Sequence, residues 1–332
     1  MKTLLLILSL LIIIPAYSQV ENEIFTGFST SLHRGYELHN TWLNKFNLDR
    51  AFLCYTHKID NNFSARILTD LSNKNILRLA YINYKVKNLN IQAGLIENNY
   101  ITESEKLWNH RYILSSFQEQ QNYNNISDIG INSTYKLNNI AINAFLCNVA
   151  GIDSTLRYGM NISVHFLKKV SVIFSIDQMV KHGITCNTFG ITGSYTNRYF
   201  SIGGEFNIQG NANLQRDKNR NGYSVWIIIN PIRKLSIFGR LDESYSNNSS
   251  VTDKNYFQNG YKFPWNFDRD GMLQVVGVEY TYSENIKLSL NGRLNTPADG
   301  ELLEGLFNIG LFDFRDIRCN TTSINLNLMF KF

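Results

Sequence analysis

From Ser323 to the end the chain alternates, with Met329 the exception. Ile324, Leu326, Leu328, Phe330 and Phe332 take one parity, and Ser323, Asn325, Asn327 and Lys331 take the other. Successive side chains of a strand point to opposite faces, so such a segment lays one face against an apolar medium and one against a polar medium. The pattern returns in Tyr158, Met160, Ile162, Val164 and Phe166 against Gly159, Asn161, Ser163 and His165, and in Ile286, Leu288, Leu290 and Leu294 against Lys287, Ser289, Asn291 and Arg293. About 16 segments of roughly ten residues follow it, the length a tilted strand needs to cross a bilayer. They begin near Ile24, Arg50, Phe63, Ile76, Leu89, Ser127, Ile140, Arg157, Val170, Asn187, Tyr199, Gly222, Leu235, Met272, Ile286 and Thr321. Two of them, Ile76 to Val86 and Gly222 to Asn230, alternate poorly.

The connections sort into two kinds that take turns along the chain. Short polar turns lie at Asp60-Asn61-Asn62, Lys87-Asn88, Asn138-Asn139, Lys168-Lys169, Asn197-Arg198, Pro231 to Lys234 and Ser283 to Asn285. Mostly longer loops come between them: Leu32 to Asp49, Leu71 to Asn75, Glu97 to Ile126, Val149 to Leu156, Lys181 to Cys186, Gly210 to Asn221, Ser244 to Asp270 and Asn295 to Asn320. An up-and-down meander with both ends on one side produces this order, and a Greek-key sandwich breaks it with crossovers. The expected fold is all-β: a transmembrane antiparallel up-and-down β-barrel of about 16 strands. A barrel of that size leaves an aqueous lumen, whereas about eight strands fill their own interior.

Composition narrows the picture. Mean hydropathy is -0.20, which excludes a bundle of membrane helices. Only a closed barrel then spans, because lipid offers no partner to an open sheet edge. Met1-Lys2-Thr3, the apolar run Leu4 to Ile14 and the small residues Ala16 and Ser18 form a secretory signal peptide, so residues 1–18 are expected to be removed and 19–332 to form the barrel. Phe and Tyr number 21 and 18, enough for aromatic girdles at two interfaces. Cys54, Cys147, Cys186 and Cys319 show no metal-ligand grouping and are expected to be unpaired thiols. No cofactor or metal is expected. Ser163 with His165 is the nearest approach to a hydrolytic set, but residues two apart on one strand face are ordinary lumen lining, and no enzyme activity is expected. Nothing points to nucleic acid, since no basic tract is interleaved with stacking aromatics.

The longest connection with its own apolar residues is Glu97 to Ile126, the third of the outer loops. Thr102 and Glu105 have capping-box spacing, which predicts a short helix from about Glu103. Leu107, Leu114 and Phe117 give it a packing face, with Trp108 and Tyr112 beside them, and the barrel interior is the nearest shelter. The candidate constriction residues are Glu103, Glu105, Lys106, Trp108, His110, Arg111 and Tyr112. Strand parity sends Arg50, Arg66, Lys136, Arg157, Arg240, Lys287, Arg293 and Lys331 inward, against Asp70, Asp177, Glu205, Asp242 and Glu279. That excess of cations, with a net charge of +5, predicts a weak anion preference.

Trp108-Asn109-His110-Arg111-Tyr112-Ile113 and Ser116-Phe117, followed by Ser127-Asp128-Ile129-Gly130, resemble a family of outer-membrane porins of the Bacteroidetes, which is distantly similar to the phosphate-selective porins O and P. The resemblance is best between about Arg78 and Leu137. It implies a bacterial outer-membrane porin that passes small hydrophilic or anionic solutes, a third loop folded into the lumen, and a homotrimer. Phosphate-selective porins have cation-rich constrictions, and this loop departs from them in setting Lys106 and Arg111 among Glu97, Glu103, Glu105 and Glu119. The final strand with its terminal Phe332 resembles the C-terminal signal that barrel assembly machinery reads before insertion into outer-membrane lipid. The alternative is a binding or assembly component that docks partners through its long outer loops, above all the aromatic segment with Tyr245, Tyr256, Phe257, Tyr261, Phe263, Trp265 and Phe267.

Overall fold

The computed structural model describes residues 18–34, 41–73, 75–149, 155–166, 169–247, 269–297 and 320–332. They form 16 strands: β1 (Ser18–Arg34), β2 (Thr41–Lys58), β3 (Phe63–Asp70), β4 (Leu77–Val86), β5 (Leu89–Glu97), β6 (Ser127–Leu137), β7 (Ile140–Asn148), β8 (Leu156–Phe166), β9 (Val170–Lys181), β10 (Ile184–Thr196), β11 (Phe200–Gly210), β12 (Arg220–Ile232), β13 (Leu235–Ser246), β14 (Gly271–Ser283), β15 (Ile286–Pro297) and β16 (Asn320–Lys331). Each pairs antiparallel with its neighbours in sequence, and β1 pairs with β16 to close the barrel. The seam is completed by Asn22 and Phe332, whose backbones exchange two hydrogen bonds of 2.9 Å. Closure leaves no free edge, which a bilayer requires.

Polar side chains make the tight turns. Asp60 Oδ1 accepts from the backbone of Asn62 and Phe63, each at 2.7 Å, and Asn197 Oδ1 does the same for Tyr199 and Phe200 at 2.7 and 3.0 Å. The expected longer loop from Lys181 to Cys186 is instead a two-residue turn. Lys181 pairs with Ile184 across His182 and Gly183, whose φ angles of 48° and 75° give the left-handed geometry that matches strand twist.

The first hairpin also departs from expectation. A loop was expected from Leu32 to Asp49, yet β1 runs on to Arg34 and β2 begins at Thr41. A bulge hides this continuation: Phe25 faces Arg50 while Thr26 faces Leu48, so Asp49 is an extra residue and the inward parity switches there. The expected aromatic loop after Ser244 and the loop after Asn295 fall mostly outside the described residues, at 248–268 and 298–319.

Outward positions carry the apolar band; Ile131, Ile176, Ile202 and Leu290 all stand exposed. At the end with the short turns, Phe63 lies 4.6 Å from Tyr84 and Tyr195 lies 5.6 Å from Phe200, with Tyr135, Phe166, Tyr280 and Tyr282 around the same rim. Such rings suit the polar-apolar boundary of a bilayer. Many inward positions are polar and bonded to one another: Asn161 donates to Asn143 at 3.2 Å, and Asn143 reaches Asn132. Cys54, Cys147 and Cys186 are free thiols, and Cys319 lies outside the described residues.

Candidate functional site

The segment between β5 and β6 folds into the lumen. It forms helix α1 (Asn99–Trp108) and a single turn α2 (Phe117–Gln120). α1 begins four residues before the expected Glu103. Asn98 is the cap and accepts from the Tyr100 backbone at 3.1 Å. Thr102 sits inside the helix and donates to the Glu97 carboxylate at 3.1 Å, so its capping-box spacing with Glu105 is incidental. Asn109 ends the helix with a left-handed φ of 57°.

Small lumen-facing residues make room for the loop. A Cβ on Gly190 would lie 2.7 Å from the Tyr100 ring, and one on Gly222 would lie 2.5 Å from the Phe117 ring. Ser104 meets Thr192 at 2.8 Å, and Thr192 donates to Tyr100 at 2.9 Å. Trp108 packs edge-on to Trp226 and Phe238, with ring centres 6.0 and 6.3 Å away. Trp226, Ile228, Phe238 and Val275 are therefore apolar residues that face inward, because the loop and not water covers them. That docking explains why Gly222 to Asn230 reads poorly as an alternating strand.

The barrel wall also holds the loop's carbonyl groups. Arg220 donates to Gln121 and Asn122 at 2.8 and 2.7 Å, Arg240 to Ser115 at 2.8 Å, and Arg293 to Ile113 at 2.7 Å. Tyr112 donates to Glu279 at 2.8 Å, and Lys287 pairs with the same carboxylate at 3.3 Å. His110 Nδ1 donates to the Trp108 carbonyl at 3.2 Å, which leaves Nε2 3.4 Å from Glu279. Burial lowers the His110 pKa against the pull of Glu279. Glu205 accepts from the Gln118 backbone at 3.2 Å. Arg157 bridges Asp128 at 3.0 Å and Asp177 at 3.2 Å, both of them buried.

On the opposite wall Arg50 pairs with Asp70 at 2.9 Å and with Glu119 at 2.7 Å, while Arg111 bonds Glu105 and lies 3.4 Å from Glu119. Arg78 and Arg111 both stand over the Phe52 ring, at 5.2 and 5.7 Å. Sequence reasoning missed Arg78. Leu68 pairs with Leu79 and Thr69 with Leu77, so Arg78 is a bulge residue turned inward beside Leu79, and the poor alternation from Ile76 was its only signal. It also missed Arg220, which parity places inward once β12 starts two residues earlier.

Burial pushes the Glu105 carboxyl up to about 8 against the attraction of Arg111, with Glu119 adding to the rise. Burial also works to raise Glu119, but its hydrogen bond with Glu105 and the neighbouring Arg111, Arg78 and Arg50 hold it below the usual carboxylate value. The two carboxyl groups thus lie beside each other among three guanidinium groups, and their titrations are coupled.

The loop meets both walls and divides the lumen into chambers. One of about 530 Å³ toward the short turns is lined by Glu21, Arg66, Lys85, Lys87 and Lys136. A second, of about 380 Å³, has Glu97, Glu103, Lys136 and His165 in its lining. A third, of about 200 Å³, lies between α1 and the β1 to β5 wall, and one of about 360 Å³ opens by Arg269, Arg293 and Ser323. Lys106 pairs with Glu103 at 2.5 Å on the exposed side of α1. Lys331 pairs with Glu23 at 3.1 Å near the seam, and Phe332 stands exposed there.

Known structures share this architecture. A loop-deletion mutant of the Vibrio cholerae outer membrane protein OmpT superposes with a TM-score of 0.66 at 10% identity, over 95% of this chain and 99% of that one. The fold is that of an outer-membrane porin barrel. Salmonella typhi OmpF, in complex with daunomycin, gives 0.65 at 9% identity over 95% and 97%. An anion-selective porin from Comamonas acidovorans gives 0.64 at 11% over 95% and 99%. No protein-family model and no curated protein matches the chain.

Proposed function

We propose that the protein is a bacterial outer-membrane porin through which small hydrophilic solutes diffuse passively, with a weak preference for anions. The observation that carries the reading is the inward loop of residues 98–126, which divides a polar lumen into chambers inside a barrel whose outer face is apolar. Anion preference is supported by Arg66, Lys85, Lys87 and Lys136 in the chamber of about 530 Å³, where Glu21 is the acidic group. Arg157, Arg240 and Arg293 contribute little to it, because each is engaged by carboxylates or loop carbonyls. An anion-selective porin stands among the similar structures.

In this reading residues 1–18 direct export, Phe332 serves the assembly machinery, and the barrel associates as a trimer. Reconstitution in a planar bilayer under a salt gradient tests it. Stepwise conductance with a reversal potential displaced toward chloride is expected. A silent, correctly folded protein sinks the channel reading, and a potential displaced toward the cation sinks the anion preference alone.

A further inference from the structure

The chamber of about 200 Å³ between α1 and the β1 to β5 wall sets three guanidinium groups and three carboxylates beside apolar side chains. The guanidinium groups are those of Arg66, Arg78 and Arg111, and the carboxylates those of Glu21, Glu23 and Glu97. Some of these charges are already matched: Arg111 by Glu105, and Glu23 by Lys331. The others form no ion pair among the described residues. Arg78 lies over the Phe52 ring within reach of the charges of Glu119 and Glu105, and Arg66 gives a hydrogen bond of 3.3 Å to Cys54 and feels the charge of Glu97. Glu97 accepts from the Thr102 hydroxyl. Charges of both signs outside any ion pair therefore face one small space, whose other lining is Thr102, Cys54 and the apolar Phe52, Leu68, Leu79 and Ile126.

We infer that this chamber is a subsite for small zwitterions, amino acids or short peptides that carry a carboxylate and an ammonium group in one molecule. A simple anion entering it gains Arg78 and Arg66 but meets Glu97 and Glu21, and a simple cation meets the reverse. An uncharged polar solute gives up water without finding a charge to answer it. A zwitterion satisfies both sets at once, its carboxylate toward the guanidinium groups and its ammonium toward the acids, while Phe52 and Leu79 receive its side chain. The space is below the usual size of a drug-binding pocket, which limits the solute to one or a few residues. The chamber also shares Glu21 and Arg66 with the chamber of about 530 Å³ and Glu97 with that of about 380 Å³, so a solute passing between them meets it. The weak anion preference belongs to the lysine-lined space, and the zwitterion subsite to the narrow one.

This inference rests on the channel reading, and isomeric solutes separate the two. Alanine and lactamide have the same atoms, but only alanine is a zwitterion. Entry of alanine, lactamide and sodium lactate into proteoliposomes holding the wild-type barrel is compared at equal concentration, with empty liposomes as the baseline. Alanine is expected to enter several-fold faster than lactamide and faster than lactate. In Arg78→Gln and in Glu97→Gln the alanine advantage is expected to vanish. If lactamide enters as fast as alanine, or lactate enters fastest, the zwitterion subsite is overturned while the channel stands. If none of the three enters above baseline, the channel reading fails and the inference with it. The wild-type comparison decides the question even if a variant does not fold.

Discussion

Arg50 on β2 and Glu119 on the inward loop meet at 2.7 Å, and the same guanidinium reaches Asp70 on β3 at 2.9 Å. This contact ties the free side of the loop to the wall opposite its docking face. Because Glu119 and Asp70 are 7% and 2% exposed, removing Arg50 takes the closest cation from two buried carboxylates and leaves Glu119 with Arg111 at 3.4 Å. Arg50→Ala is therefore expected to loosen the loop and to give a larger, noisier single-channel current. An unchanged current would show that the loop is held by its docking face alone.

The docking face gives a second prediction. Gly190→Ala places a methyl group against the Tyr100 ring, where the built Cβ distance is 2.7 Å. Overpacking of this kind costs about 1 to 3 kcal/mol. A lower temperature for loss of the compact barrel band on gels is expected, and Tyr100→Ala added to the same chain should restore part of it, since contacting sites are not additive. Equal losses in the single and double variants would count against the notch.

Trp108 anchors the apolar side of the loop, with its indole N–H donating to the Leu114 carbonyl at 2.8 Å. Truncating a buried tryptophan costs about 3 to 5 kcal/mol. Trp108→Ala should free the loop without opening the barrel, seen as protease cleavage near residue 108 in detergent while the barrel band persists.

Loop docking should depend on pH through Glu105. Its pKa in the docked loop is raised to about 8 from an ordinary 4.5, so docking is at full strength below the ordinary value and weakens as pH rises through about 8. Glu119 and His110 act in the opposite sense: each has a lowered pKa, and each loses its contribution as pH falls below its ordinary range. Current noise in bilayers is expected to grow between about pH 6 and pH 9 in the wild type. Glu105→Gln should flatten that rise; a profile identical to wild type would exclude Glu105 as its source.

Arg157 is the charge whose loss should harm the barrel most. It is the shared partner of two buried carboxylates, Asp128 and Asp177, at 3.0 and 3.2 Å. Breaking a buried pair by removing one partner costs about 3 to 5 kcal/mol. Arg157→Ala should reduce the yield of folded barrel. Arg157→Lys should recover only part of it, because an ammonium group does not fork between two acids.

Alternation by itself determined the barrel. A period of two, one apolar and one polar face, and short turns alternating with longer connections admit no other closed arrangement in a bilayer, so the strand count and the inward parity of Arg50, Arg157 and Arg240 were legible before any coordinates. Tertiary structure alone decided three things. Bulges at Asp49 and Arg78 depend on pairing with a partner strand, so they broke the pattern without announcing what they did. Inward apolar residues such as Trp226 and Phe238 look like errors of alternation until the loop that covers them is in place. Which lumen charges remain unmatched depends on distances between residues far apart in sequence, as between Arg50 and Glu119, and no local periodicity encodes such a distance.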